Sequence, residues 1–116
     1  MQIELHKSSE FLNKNFKIKE IINKLNITHP TLIFGSYAKE TQKKDSDLDM
    51  LIVGEYNKNI VKKTSKFFDL EINVKSITSE DLIKAIKNKE ILINEIIKDH
   101  IIINGFEFFT NAFLDQ

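Results

Sequence analysis

The chain has 116 residues, long enough to bury a core of its own, and its 17 basic residues balance 17 acidic ones. That balance removes any overall pull toward nucleic acid or an anionic membrane, and no apolar run approaches the length of a membrane span. The absence of cysteine excludes disulfides and thiolate metal sites.

Every basic residue is a lysine, so charge on a substrate must be met by lysine, backbone N–H groups, metal or a partner's arginine. The N-terminus does not read as a signal peptide, and no linker or repeat divides the chain. The expectation is one cytoplasmic domain over residues 1–116.

Met1–Lys7 alternates weakly through Ile3 and Leu5, as a strand or a frayed lead. Ser8 or Ser9 is placed to cap a helix from Glu10. Ile18, Ile21, Ile22 and Leu25 then follow helical spacing from Phe16 onward. His29-Pro30 ends that helix, because the residue before proline is pushed out of the helical region. Thr31–Phe34 is a short apolar strand leading into Gly35-Ser36. Ten residues later comes Asp47-Leu48-Asp49, running into Met50–Val53 and Gly54, which reads as a second strand.

Side chains two apart on a strand share a face, so Asp47 and Asp49 point the same way, about 7 Å apart at Cα. No basic residue lies between them, and a cation relieves their repulsion. Hard oxygen donors of this kind suit Mg²⁺, which also takes substrate phosphates as ligands. A two-metal site, with ions roughly 3.5–4 Å apart, fits such a pair. A calcium loop opening at Asp45 fails, because Met50 stands at its glycine position and Tyr56 at its final glutamate. Gly35 lets backbone approach a ligand closely. Ser36 adds a hydroxyl and an N–H at the start of a turn, where phosphate binds.

Beyond Gly54, Tyr56–Lys66 reads as a helix. Phe68–Ile77 alternates cleanly, with Phe68, Leu70, Ile72 and Val74 apolar and Asp69, Glu71, Asn73 and Lys75 polar. Thr78 or Ser79 caps a helix carrying Leu82, Ile83 and Ile86. A second segment carries Leu92, Ile93, Ile96 and Ile97, with Glu95 on its outer side. His100–Ile103, Asn104-Gly105 and Phe106–Phe109 form a hairpin signal. Phe108, Phe109 and Phe113 are expected to cover the core. His6, His29 and His100 are isolated, and no pair has ligand spacing.

The stretch GSYAKETQKKDSDLDMLIV resembles the signature of the DNA polymerase β-like nucleotidyltransferase superfamily, and the short length resembles its minimal nucleotidyltransferase (MNT) branch. The resemblance is strong over residues 31–54. It implies an α/β (α+β) fold, a small mixed β-sheet flanked by helices. It implies Mg²⁺, two ions, with ATP as donor. Gly35 and Ser36, with Lys39, would hold the triphosphate, and Asp47 and Asp49 the metals. The superfamily commonly draws a third carboxylate from the neighbouring strand; Glu71 is favoured here, with Asp69 the alternative. The chain departs from the family at Tyr37, where many members have a basic residue, at Lys39 (Arg) and at Glu40 (Gly).

Minimal members are often partnered with a HEPN-domain toxin, for which they act as antitoxin by transferring AMP to a tyrosine. The resemblance therefore implies a protein adenylyltransferase with a HEPN partner, and the balanced charge argues against a nucleic-acid acceptor. The alternatives are an antitoxin that neutralises by binding alone and a small-molecule nucleotidyltransferase.

Overall fold

A computed structural model of the chain describes residues 2–114. Its elements are α1 (Gln2–Lys14), α2 (Phe16–Leu25), β1 (Thr31–Phe34), β2 (Leu48–Val53), α3 (Lys58–Phe68), β3 (Ile72–Ile77), α4 (Ser79–Lys87), α5 (Ile91–Lys98), β4 (Ile101–Asn104) and α6 (Phe106–Leu114). The four strands form one mixed sheet in the order β3-β2-β1-β4. β1 is antiparallel to both β2 and β4, and β2 runs parallel to β3. A parallel pair needs a crossover, and α3 supplies it.

Helices cover both faces of the sheet. Ile33, Leu48, Met50, Ile72 and Ile101 meet Phe11 of α1 and Ile18, Ile21 and Leu25 of α2. On the other face Leu32, Leu51, Val53 and Ile102 meet the apolar sides of α4, α5 and α6. Alternate residues of β2 thus serve opposite layers, so its run of buried side chains reads as nearly continuous hydrophobicity. The acids stand where that run begins.

Three sequence expectations are corrected. The start of the chain is neither strand nor lead, and no helix is capped at Ser8 or Ser9: α1 is continuous from Gln2, with Ser8 and Phe11 both buried one helical turn apart. Met1, the first residue of that expected lead, lies outside the described residues.

The alternation from Phe68 is also broken at its start. Phe68 ends α3, and Asp69 is its left-handed cap (φ 50°). The N–H of Asp69 donates to the Lys66 carbonyl and that of Leu70 to the Ser65 carbonyl, closing the helix end. The strand starts only at Ile72.

The third correction is the hairpin. β4 pairs with β1 and not with the segment after Gly105, and Phe106–Leu114 is a helix. Phe106, Phe109 and Phe113 recur at helical spacing, and Phe109 is fully buried among α4, α5 and the sheet. Gly105 (φ +78°) makes the change of direction. A Cβ there would lie 2.7 Å from Pro30 Cβ, so only glycine lets the α6 entrance lie on that proline. The expectation that the terminal phenylalanines cover the core holds: Phe108 and Phe113 join Phe109 on that cluster.

Candidate active site

β1 delivers its chain end directly to β2. Phe34 stands opposite Asp49 in the antiparallel register, and Gly35 comes next with φ +75°. A Cβ on Gly35 would overlap Asp49 Oδ2 and lie 3.3 Å from Asp49 Cγ. Glycine here is thus required twice, by the left-handed backbone and by the carboxylate against it.

From Gly35 the chain makes a helical turn. The Lys39 N–H donates to the Gly35 carbonyl (3.1 Å), that of Glu40 to Tyr37 (3.3 Å) and that of Thr41 to Ser36 (2.9 Å). The N–H groups of Ser36, Tyr37 and Ala38 take no part in those bonds, as in the first turn of any helix. Tyr37 and Ala38 pack against the core beneath, which anchors the turn. Burial also pushes the Tyr37 phenol above its ordinary pKa of 10.0. That apolar anchorage is what this chain has where many relatives of the signature carry a basic residue. Glu40 has φ 58°, a left-handed backbone that the glycine common at this position would adopt freely.

The turn Lys43–Ser46 returns the chain to β2, fixed by the Lys43 N–H donating to Ser46 Oγ (2.7 Å) and the Ser46 N–H donating to the Lys43 carbonyl (3.1 Å). Asp47 is exposed just ahead of β2, and Asp49 is half-buried within it. Both carboxylates converge on one group, the Asn73 amide. Asn73 Nδ2 donates to Asp47 Oδ2 (3.1 Å) and to Asp49 Oδ1 (3.4 Å). The parallel register sets this up by placing Asn73 beside Asp49. Among the described residues, no lysine or histidine pairs with either acid.

The other candidates take no part in these hydrogen bonds. The Leu48 N–H donates to the Glu71 carbonyl, so Glu71 stands just ahead of β3. With Asp69, Lys44, Asp45 and Ser46 it lines a separate exposed cleft of about 500 Å³. Among the described residues no three His, Cys, Asp or Glu side chains come together as a metal-ligand group. Lys39 Nζ is 3.3 Å from Glu95 Oε2 on α5, with both side chains about half exposed. Glu95, on the outer side of its helix as expected, thus pairs with Lys39. Such a pair contributes at most about 1 kcal/mol, so it leaves Lys39 able to turn toward a phosphate.

Asn73 is the residue that sequence reasoning passed over. It lies on the polar face two residues after Glu71, and the β2/β3 register with its two amide hydrogen bonds shows that it meets the acid pair. The donor set fits Mg²⁺. Among the described residues it comprises two hard carboxylates at the start of a strand, with no cationic side chain bound to them, an amide within reach and a turn with N–H groups alongside. No helix of the described residues is long and apolar enough to cross a membrane.

Comparisons with known proteins agree with this arrangement. The family model described as polymerase beta, nucleotidyltransferase, matches residues 16–105. No curated protein sequence matches the chain significantly. Among solved structures, a toxin–antitoxin crystallised with AMP-PNP shares the fold at TM-score 0.55 and 14% identity, over 85% of this chain and 80% of that one. Two mutants of the toxin–antitoxin MntA-HpeT share it at TM-scores of 0.54 and 0.50, with 12% and 15% identity. Each comparison covers 85% of this chain, and 80% and 78% of the other. The family match runs through the Gly35 turn, the acid pair and the strand beside it, and the chain belongs to the polymerase β nucleotidyltransferase family.

Proposed function

We propose that this protein is a minimal nucleotidyltransferase, one domain over residues 1–116, that transfers AMP from ATP to a tyrosine hydroxyl of a HEPN-domain toxin, and so acts as the antitoxin of a pair. The observation that carries the reading is the contact between the Gly35 turn and Asp49. One strand end offers N–H donors that would hold the β- and γ-phosphates, and the next offers carboxylates that would hold a divalent metal.

In this reading Gly35, Ser36 and Lys39 hold the leaving pyrophosphate, and Asp47 and Asp49 hold Mg²⁺. Bound there, the ions would stabilise charge on the attacking and leaving oxygens. In-line displacement requires the acceptor to approach from the side opposite the pyrophosphate. With the phosphate turn on β1 and the acids on β2, that side is β3. The acceptor O–H gives its proton to solvent, its oxygen bonds to the α-phosphorus, and the bond from that phosphorus to the β-phosphate oxygen breaks. The group on β3 nearest the acids is the Asn73 amide, which takes no proton. A phenol, with an ordinary pKa near ~10, needs less help to ionise than an alkyl hydroxyl. This favours tyrosine as acceptor.

The solved structures compared above are toxin–antitoxin proteins, one of them with an adenine nucleotide analogue, which supports both a toxin partner and ATP. The balanced charge argues against a nucleic-acid acceptor and is compatible with a cytoplasmic protein. Neutralisation by occlusion alone is the second reading, but occlusion needs no paired aspartates beside a phosphate turn. A doubly substituted Asp47→Ala, Asp49→Ala chain, co-expressed with the toxin, separates the two. Loss of neutralisation with the complex still formed is the expected result, and full neutralisation would establish occlusion instead.

A further inference from the structure

We propose that Asn73 is the third ligand of the metal site, supplying a neutral carboxamide oxygen where the family places a carboxylate, and that divalent-ion binding therefore depends on the nucleotide. The proposal rests on the reading of Asp47 and Asp49 as metal ligands. Asn73 is the β3 residue that the register puts beside Asp49, and its one amide nitrogen reaches both acids. Glu71 and Asp69 line a different cleft, and the backbone of Asp69 is committed to capping α3.

The amide has two uses here. As a donor it bridges two like charges and holds them together without a cation. An N–H pointing at a cation is repulsive, so with metal present the group must present Oδ1 instead. A half-turn about the terminal torsion of asparagine exchanges the two atoms within the same volume, and that torsion is broad and soft. Asn73 can therefore hold the pair in both states without moving the backbone.

The charge balance is what distinguishes this site. Affinity of oxygen-ligand sites for divalent ions is tuned by the number of charged ligands. Two carboxylates and an amide carry one negative charge fewer than three carboxylates, and a pair of dications outweighs them. The missing charge and oxygens must come from the triphosphate. The protein without nucleotide should bind a divalent ion weakly, and metal and nucleotide should load together, each raising the affinity for the other by the same factor.

The test is a Mn²⁺ titration of the full chain, following free Mn²⁺ by electron paramagnetic resonance, with and without AMP-PNP. Wild type is expected to bind Mn²⁺ at least about tenfold more tightly with the analogue. Asn73→Asp should bind Mn²⁺ at least about tenfold more tightly than wild type without nucleotide, and Asn73→Ala about tenfold more weakly than wild type with it. Thermal melts without metal confirm that each variant is folded. Asp49→Asn is the control for the underlying reading. If it abolishes binding while both Asn73 variants stay within about twofold of wild type, the metal site stands and Asn73 is not its ligand. If Asp49→Asn binds Mn²⁺ as wild type does, the metal reading fails and the proposal fails with it.

Discussion

Gly35→Ala puts the contact between the Gly35 turn and the acid pair under direct stress. The backbone at Gly35 has φ +75°, a region that costs an L-residue about 1–2 kcal/mol. In a domain near this size each kcal/mol lowers the melting temperature by roughly 4–8 °C. The added methyl also overlaps Asp49 Oδ2. Relieving that overlap moves the carboxylate by on the order of 1 Å, a misplacement that can lower a rate about 10²-fold. Gly105→Ala is the matched control. It has φ +78°, and its Cβ would press on Pro30 at the opposite end of β1. Both variants should melt lower than wild type, but only Gly35→Ala should lose AMP transfer, measured as label from α-labelled ATP at a temperature where both remain folded. Equal losses in the two variants, or a Gly35→Ala rate within about twofold of wild type, would refute the reasoning.

Three smaller effects arise from the same structure. Asn57 caps α3 by accepting from the N–H groups of Asn59 and Ile60 at 3.0 and 3.2 Å, so Asn57→Ala should lose about 1 kcal/mol in a urea melt with little effect on transfer. Glu40 stands in a left-handed backbone, and Glu40→Gly should raise stability, by at most about 1 kcal/mol, because glycine removes that strain but frees the unfolded chain. The Tyr37 phenol is held above its ordinary value of 10.0 by burial. The unfolded chain therefore loses this proton first, and stability should fall as pH rises from about 10 through the raised folded value. Tyr37→Phe should remove that alkaline decline, and an unchanged decline in a stability-versus-pH series would show that other groups cause it.

Much of the site was legible because short-range rules govern it. Strand alternation set Asp47 and Asp49 on one side, and the Gly35-Ser36 step marked the turn. What escaped was set by contacts between distant elements. The alternation from Phe68 to Val74 has strand period, yet Asp69 and Leu70 bond back to Lys66 and Ser65 and finish a helix. Asn104-Gly105 reads as a hairpin turn. Pro30, far away in sequence, packs on Gly105, and burial of Phe109 makes the next segment a helix. Ser8 looked like a cap and is instead buried on α1. Asn73 was in plain view on the polar face, but its place beside Asp49 depends on a parallel register that no local pattern encodes.

The measurement that bears most directly on the account is label transfer in the presence of Mg²⁺ and ATP labelled at the α-phosphate, with and without the cognate HEPN partner. The account predicts label on a tyrosine of the partner, lost with Asp47→Ala and lost when metal is chelated. A tight complex that takes up no label under the same conditions would contradict it.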